Sequence, residues 1–449
     1  MKKLCFYLLF LLPAVAYAQT DDYRLDSYVN PDYKRKELNF NFGSSIDINS
    51  QKTKISGNAD IDKKNQFFNG VLNTWFNQVA NTAKKQTSTS LGLAFSGNYQ
   101  KDGFSEENNK NYGIQLNYYH TGYYYVKDKR FIEFSPTVYF THNASDKEYK
   151  YPRVPDEEAF NSIGTQFSFK LGIGKGRIER VEDAYSAMYI LSDLKKNGSL
   201  KKTLNQDEVN RLAQQITSIK NKRQFDSRVK LIEEITVVDS FLTANGYTDT
   251  GKTAPHFTSL YDNWLYAGHF ERKAGSRFSI GVSPFHSWNR NKMEYEPENL
   301  SNYTNYNSVT RASAYVSYEY EKPANLYLQH SVYTEIRGEW TKMRSRKGAF
   351  GPNFFGEYGL GYFPNTRTHI QSLFYVNYFS MYNDEYSDSH VNSGLRLNLY
   401  YYLSPQLRLS ADSELTFGYN KQKDKKYDTN YSSNSPNFSF NIGLQYSFF

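Results

Sequence analysis

The sequence predicts an all-β membrane barrel of about 14 antiparallel strands, interrupted once by an inserted α-helical domain. Three observations lead to this fold class. Apolar and polar residues alternate with period two through most of the chain, as in strands with one apolar and one polar face. The connections between strands alternate between long and short. Aromatic residues make up 17% of the chain, with 41 Tyr and 32 Phe, while all hydrophobic residues together reach only 39%.

The chain begins with the pattern of a cleaved secretory signal, in which lysines precede a short apolar run and a small-residue site. We expect residues 1–18 to be removed after Ala18, and residues 19–34 to form an N-terminal extension on the periplasmic side. The single cysteine, Cys5, lies in the removed piece, so the mature chain would have neither disulfides nor a thiolate metal site. The net charge of +8 is spread along the exported chain, which argues against a nucleic-acid partner.

Residues 35–174 predict barrel strands 1–6. The segment ELNFNFGSSIDIN, for example, places Leu38, Phe40 and Phe42 on one face and polar residues on the other. The segment FFNGVLNTWF is ambiguous because two registers fit it. The outward residues would be either Phe68, Leu72 and Phe76 or Phe67, Val71 and Trp75.

Residues 175–275 predict a helical insertion. Helical spacing of apolar residues appears in RVEDAYSAMYILSDLKK, NQDEVNRLAQQITSIK and DSRVKLIEEITVVDSFLTA, and more weakly in FTSLYDNWLYAGHF. Asn205 and Glu208 have the spacing of a capping box at the start of the second helix. A bundle roughly 20 Å across exceeds a lumen of about 14 strands, so it should stand beneath the barrel instead of plugging it.

Residues 276–449 predict barrel strands 7–14. The chain ends with NFSFNIGLQYSFF, whose alternation predicts a terminal strand with an apolar and a polar face. An unpaired terminal strand invites aggregation, so we expect this strand to pair with the first one and close the barrel.

The connections support the same topology. Those predicted for one end are polar and mostly long, such as HNASDKEYKYPRVPDEEAFNS and KQKDKKYDTNYSSNSP. Those for the other end include the short turns VKDKR, EKPAN, PNTRT and LSPQ. Long external loops and short periplasmic turns are typical of bacterial barrels, and the strand count then places the helical insertion on the periplasmic side.

The signal peptide, the alternating strands and the aromatic terminus together resemble a Gram-negative outer-membrane β-barrel protein. This resemblance implies an outer-membrane location and contact with outer-membrane lipids. It also implies that the terminal aromatic residues Tyr446, Phe448 and Phe449 act as an assembly signal read by the barrel-assembly machinery.

The polar faces of the predicted strands give the candidate lumen lining. Its members are Glu133, Lys170, Arg311, Glu319, Glu335, Arg337, Glu339, Glu357, Arg396, Arg408, Asp412 and Glu414. Charges of both signs can line an aqueous channel or form ion pairs in a closed lumen. Both alternatives remain open at the level of sequence.

The sequence offers little for catalysis. The segments HVNSGLR and FHSWNR resemble parts of outer-membrane phospholipases, which pair a His with a Ser and an Asn. Alternation predicts that His390 points inward while Ser393 points outward, and that His286 faces lipid. Nucleotide, zinc-protease and hydrolase motifs are absent from the sequence. We therefore expect no enzyme, no catalytic residues, no cofactor and no metal site.

Three functions follow as hypotheses. The first is a polar-lined channel or transport component whose periplasmic helical domain gates it or docks a partner. The second is an envelope scaffold with a closed lumen, in which residues 180–270 bind a periplasmic protein or the cell wall. The third is a lipid-acting enzyme.

Overall fold

The computed structural model describes residues 23–53, 61–102, 107–149, 157–222, 230–249, 253–266, 270–296, 301–344, 346–404, 406–425 and 429–446. Within them the chain forms one sheet of 14 strands, in which each strand pairs antiparallel with its sequence neighbours. The predicted strand number and the antiparallel order are therefore confirmed. The predicted signal peptide, residues 1–18, lies outside the described residues.

The strands are 15 to 24 residues long. They are β1 Tyr33–Thr53, β2 Ile61–Thr82, β3 Lys85–Asp102, β4 Glu107–Tyr125, β5 Arg130–Tyr149, β6 Glu157–Arg180, β7 Lys273–Glu296, β8 Tyr303–Pro323, β9 Leu328–Met343, β10 Ala349–Asn365, β11 Thr368–Tyr382, β12 Tyr386–Tyr402, β13 Leu407–Asp424 and β14 Thr429–Tyr446.

Four helices interrupt the sheet between β6 and β7, as the sequence predicted. They are α1 Glu182–Lys196, α2 Gln206–Asn221, α3 Leu231–Ala244 and α4 Ala254–Tyr266. The predicted capping box is present, because the Asn205 side chain accepts from the Glu208 backbone N–H and the Glu208 side chain accepts from that of Asn205. Among the described helices, none has the length and apolar character needed to cross a membrane.

The predicted strand ranges were too short at two ends, residue 174 and residue 276. The strand pair β6–β7 continues past residues 174 and 276 to the pair Arg180 and Lys273. The segment GKGRIER has no apolar alternation, so its residues from 175 onward were assigned to the helical insertion. Its backbone nevertheless keeps the ladder hydrogen bonds of a two-stranded ribbon.

The ambiguous second strand adopts the first of its two registers. Leu38 pairs with Phe76, and Phe42 pairs with Leu72, so the apolar residues of β1 and β2 share one face. Trp75 lies on the other face, where its ring covers Gly92 of β3, and a Cβ there would lie 2.6 Å from the ring. The alternation alone could not choose between the registers, since both faces of this segment carry aromatic residues.

The two edges of the sheet are β1 and β14. No β1–β14 ladder occurs in the described part of the chain, so the predicted pairing of the last strand with the first is not observed there. Phe42 and Phe438, on the apolar faces of these two strands, are both exposed.

The apolar core of the molecule lies in the helical bundle. Side chains of all four helices are buried together, and the N-terminal extension adds Tyr23, Leu25 and Tyr28 to the same core. A short 3₁₀ helix, Leu25–Ser27, shapes that extension. The bundle touches the sheet at the short-turn ends of the strands, through residues such as Leu326 and Phe363.

Candidate channel lining and mouth

All twelve predicted lining residues share one face of the sheet. Paired residues of neighbouring strands lie on the same face of the sheet, as Arg311 does with Thr341 and Arg396 with Glu414. The opposite face carries exposed apolar residues such as Phe278 and Ile336. The sheet is therefore amphipathic along its whole width. The lining role of these residues stays a prediction, because it depends on closure.

Side chains on the polar face meet across several strands. The Tyr315 hydroxyl of β8 donates to Glu133 of β5 at 2.9 Å, and Lys170 Nζ of β6 lies 2.6 Å from Glu335 of β9. Each pair joins strands three positions apart, which in a flat sheet would be separated by roughly 14 Å. The polar face is therefore concave in this region.

Glu335 is the centre of the most connected group on this face. Besides Lys170, it pairs with Arg337 and accepts a hydrogen bond of 2.8 Å from the Tyr333 hydroxyl. Glu335 is only 6% exposed, so its charge is compensated by two cations and one hydroxyl. Sequence reasoning identified the charged members but missed the tyrosines, whose inward position follows from the same alternation.

A cavity of about 470 Å³ opens beside this group. Its lining is Arg311, Tyr333, Glu335, Arg337, Glu339, Asn353, Phe354, Phe355, Asn377 and Phe379. Arg311 Nε lies 4.0 Å from Glu339, a long ion pair, and its guanidinium covers the ring of Phe285. Cationic, anionic, amide and aromatic groups thus surround one water-accessible space.

The remaining predicted residues form smaller groups. Arg396 pairs with Glu414 at 2.9 Å, and Tyr375 donates to the same carboxylate at 3.0 Å. Asp412 accepts from Asn441 at 2.8 Å. The other three have separate positions on the same face: Arg408 donates to Gln445, Glu319 pairs with Arg277, and Glu357 lies opposite Tyr333 and Tyr375.

The paired ends of β6 and β7, which we call the β6–β7 ribbon, change direction relative to the rest of the sheet at two glycines. Gly176 and Gly275 have φ values of +116° and +125°, a region that residues with a Cβ rarely adopt. A Cβ at Gly275 would lie 2.2 Å from the carbonyl oxygen of Arg177, and one at Gly176 would lie 2.1 Å from that of Ser276. Both positions therefore require glycine, which the sequence analysis did not recognise.

Beyond these glycines the ribbon lies against the short-turn ends of β2, β3 and β4. The Arg177 guanidinium donates to Asn81 at 2.9 Å, and Gln86 donates to the Ile178 carbonyl at 2.7 Å. Arg277 covers the ring of Tyr123 at 3.6 Å. The contacts join strands that are not neighbours in the sheet, so the ribbon crosses the polar side at this end. We call Arg177 and Arg277, with these partners, the latch.

Further contacts hold the bundle on the turns of the other half of the sheet. The Arg272 guanidinium lies between the rings of Tyr185 and Phe363, at 3.4 and 3.7 Å from their centres. Arg272 Nε also donates to Gln329 at 2.7 Å. One buried cation thereby joins α1, the end of β10 and the start of β9. This arrangement has no signature in sequence spacing.

A buried polar group connects the N-terminal extension to α1 and α2. Asp183, 2% exposed, accepts from Thr217 and from Lys220, each at 2.6 Å. Tyr28 of the extension forms a 3.1 Å hydrogen bond with Thr217. Burial alone would raise the pKa of Asp183, but Lys220, Thr217 and Arg35 together hold this pKa below its ordinary value.

The histidines singled out in the sequence do not form a hydrolase site with their neighbouring serines. His390 is on the polar face, whereas Ser393 belongs to the apolar face because it pairs with Phe417. His286 is on the apolar face and bonds to Thr310 at 2.9 Å. The described residues also contain no group of three or more His, Cys, Asp or Glu placed to hold a metal ion.

The predicted assembly signal is only partly described. Tyr446 ends β14 at the short-turn end and donates to Gln406 at 3.1 Å. Phe448 and Phe449 lie outside the described residues. Their role in assembly stays a prediction.

Comparison with known proteins gives resemblance in fold only. No family model and no curated protein matches the chain. The translocator domain of the autotransporter NalP from Neisseria meningitidis is 7% identical over 79% of this chain and 84% of its own, with a TM-score of 0.29. OmpT, an outer-membrane protein of Vibrio cholerae, is 8% identical over 92% and 99%, with a TM-score of 0.28. The P. putida toluene transporter TodX is 10% identical over 94% and 93%, with a TM-score of 0.24.

The chain thus resembles Gram-negative outer-membrane β-barrels at low sequence identity.

Proposed function

We propose that this protein is a closed outer-membrane β-barrel that conducts polar solutes, with the helical bundle controlling its periplasmic mouth. The observation that carries the proposal is the concave, charged face of the sheet, opposed by an apolar face along the whole width. A channel wall needs this division, because one face meets lipid and the other meets water.

The registers support closure of the barrel. Tyr33 lies at the start of β1, and its paired residue can be traced from each strand to the next. The last residue in this row of paired residues is Ser433 of β14. Tyr446, at the short-turn end of β14, lies 13 residues further along (446 − 433 = 13). A stagger of about one residue per strand tilts the strands by roughly 35°, which is the tilt of closed barrels.

Energetics also favour closure in a membrane. Each unpaired backbone N–H or C=O along β1 and β14 would cost several kcal/mol in lipid, because no water is present there to form the missing hydrogen bond. With the stagger above, Glu37 or Asn39 of β1 would lie beside Asn441 of β14. A disulfide between cysteines placed at 441 and at 37 or 39 should form in membranes. If neither pair forms while a control pair of cysteines at the neighbouring positions Phe95 and Ile114 of β3–β4 does, the closure model is wrong.

We place the bundle on the periplasmic side. The N-terminal extension, the short turns and the bundle share one end of the sheet, and the long connections share the other. A protease site inserted within residues 195–202 should be protected in intact cells. The same site within residues 424–431 should be cut from outside, and the reverse pattern would overturn this orientation.

The latch supports a gating role for the bundle. Arg177 and Arg277 hold the bent ribbon over the polar side of the mouth, and the ribbon continues into α1 after the single residue Val181. A movement of the bundle would therefore pull the ribbon away from β2–β4. The two glycines give the ribbon the backbone freedom to change direction at that point.

Planar-bilayer recording tests the channel and the gate together. Replacing Arg177 and Arg277 by Gln should raise the ratio of open to closed channels roughly thirtyfold, because each lost contact contributes about 1 kcal/mol. Arg346→Gln, at the opposite end of the strands, removes one charge without touching the latch and should behave as wild type. Absence of conductance in both wild type and the latch variant would refute the channel.

The same result would favour the second candidate, a closed-lumen scaffold. The observation in its favour is the ion-paired group around Glu335, which joins β6 to β9 across the polar side. In that case residues 180–270 would bind a periplasmic protein or the cell wall, and crosslinking in cells should capture such a partner. We propose no catalysis, so His286→Ala and His390→Ala should leave envelope lipid hydrolysis unchanged.

A further inference from the structure

A cluster of cations lies on the apolar face of β7, β8 and β9, near the long-loop ends of these strands. Arg290 of β7 pairs with Tyr306 of β8, and Lys342 of β9 pairs with Thr310 of β8. The Arg344 backbone N–H, just after β9, donates to the Ser308 carbonyl at 3.0 Å. These registers place Arg290, Lys342 and Arg344 on one face within a few residues of one another. We call them the basic patch.

The face that carries the basic patch is the one predicted to meet lipid. On the same face of these three strands, further from the long-loop ends, Ile280, Val316 and Ile336 form one row across β7, β8 and β9. All three of these side chains are exposed, so the apolar face is uncovered. A ligand of the basic patch must therefore approach from the membrane side and not from the lumen.

Aromatic rings lie at the level of the basic patch and next to it: Trp288 and Tyr306 are beside its cations, and Trp340 is on the side of the apolar row. Trp288 and Tyr306 pack with ring centres 6.3 Å apart, and Trp340 is exposed on the same face. Rings of this kind occupy the level of the lipid headgroups in outer-membrane barrels. The basic patch lies at or just beyond that level, where phosphate groups are found.

Within the described residues, none of the cations of the basic patch has a carboxylate at ion-pair distance, whereas neighbouring Lys292 is paired with Glu294. The Nε of Arg290 is buried without a hydrogen-bond partner. The Arg344 guanidinium is positioned over the Tyr306 ring at 5.4 Å, which leaves its outer N–H groups available. Guanidinium groups bind phosphate through paired, charge-assisted hydrogen bonds.

We propose that the basic patch binds the phosphorylated headgroup of an anionic membrane lipid. Arg290 and Lys342 lie two strands apart and are offset by four residues along β8, so roughly 16 Å separates their backbones. Their long side chains can contact separate phosphate groups of one headgroup, and Arg344, which lies between the two levels, adds a third contact. Trp340, which lies between Lys342 and the apolar row, contacts the lipid-chain side of the same molecule. This site rests on the proposed membrane insertion, but not on the lumen being open.

Native mass spectrometry of the full-length protein in dodecyl maltoside micelles tests the site. Diphosphoryl lipid A is the probe, and phosphatidylcholine is the lipid without net charge. We expect tight binding of lipid A only, and roughly ten- to hundredfold weaker binding after Arg290→Gln, Lys342→Gln and Arg344→Gln are combined. Inorganic phosphate at millimolar concentration should not displace the lipid.

Lys421→Gln with Lys423→Gln is the matched control. These lysines share the apolar face near the long-loop end of β13, away from the basic patch. Equal losses in the patch variant and this control would mean diffuse electrostatic attraction and would overturn the site. Unchanged lipid A binding in the patch variant, or displacement by phosphate, would overturn it as well.

The channel proposal can fail separately. The basic patch faces away from the polar side, so the patch variant should conduct like wild type and keep the far-ultraviolet circular dichroism of a folded sheet. A protein without conductance that still binds lipid A through the basic patch would refute the channel and keep the lipid site.

Discussion

Replacing Asp183 by Asn should loosen the helical bundle while leaving the sheet folded. Asp183 is buried, with Lys220 Nζ and the Thr217 hydroxyl each 2.6 Å from its carboxylate oxygens. The Lys220 side chain is only 10% exposed. The asparagine side chain in this variant would keep an acceptor for Thr217 but would leave the ammonium of Lys220 buried without an anion.

The cost follows from that burial. Removing one partner of a buried ion pair typically costs 3–5 kcal/mol, and the retained Thr217 hydrogen bond argues for the lower end, about 3 kcal/mol. Local opening of α1 and α2 should then become roughly 150-fold more frequent, since about 1.4 kcal/mol corresponds to a factor of ten.

Hydrogen–deuterium exchange measures this opening directly in the full-length protein. Peptides from α1 and α2 should exchange roughly 150-fold faster, while peptides from β8 to β12 should keep the wild-type rate. Asp249→Asn is the control, because Asp249 pairs with Lys201 at 2.6 Å on the surface and is 72% exposed. Surface pairs contribute about 0–1 kcal/mol, so exchange should hardly change. Equal effects of the two substitutions would refute the argument from burial.

The pH dependence has a definite sign. The pKa of Asp183 is below its ordinary value in the folded protein, so ionised Asp183 stabilises the bundle above the unfolded pKa of about 4. This contribution is lost as the pH falls through the folded pKa. The difference between wild type and Asp183→Asn should therefore shrink at low pH, and a difference that grows on acidification would contradict the assignment.

Three further predictions concern the cap, the ribbon and the lining. Asn205→Ala removes the capping box of α2 and should cost about 1 kcal/mol, visible as roughly fivefold faster exchange in its first turn. Gly275→Ala places a Cβ 2.2 Å from a carbonyl oxygen and should raise the open fraction in bilayer recording; Gly97→Ala, whose Cβ would lie 3.9 Å from its nearest neighbour, should not. Glu335→Gln leaves Lys170 and Arg337 without their shared anion, so reversal potentials should shift toward anion selectivity.

Local patterns in the sequence were sufficient for the elements and their faces. Alternation with period two depends only on the geometry of a strand, so it predicted 14 strands and the shared face of the twelve charged residues. The capping box depends on two residues three positions apart, Asn205 and Glu208, and was equally visible. The same period left β2 undecided, because its two faces are both aromatic.

Only the tertiary structure decided which distant residues meet. The latch, the Arg272 contacts and the Asp183 group each join segments far apart in the chain, and no spacing rule relates such partners. The length of the β6–β7 ribbon was also missed, because backbone pairing continues there without an apolar pattern. The basic patch depends on both the local sequence pattern and the tertiary structure. Arg290 and Lys342 each follow the alternation of their own strand, but their neighbours are set by the register of three strands, which sequence periodicity does not determine.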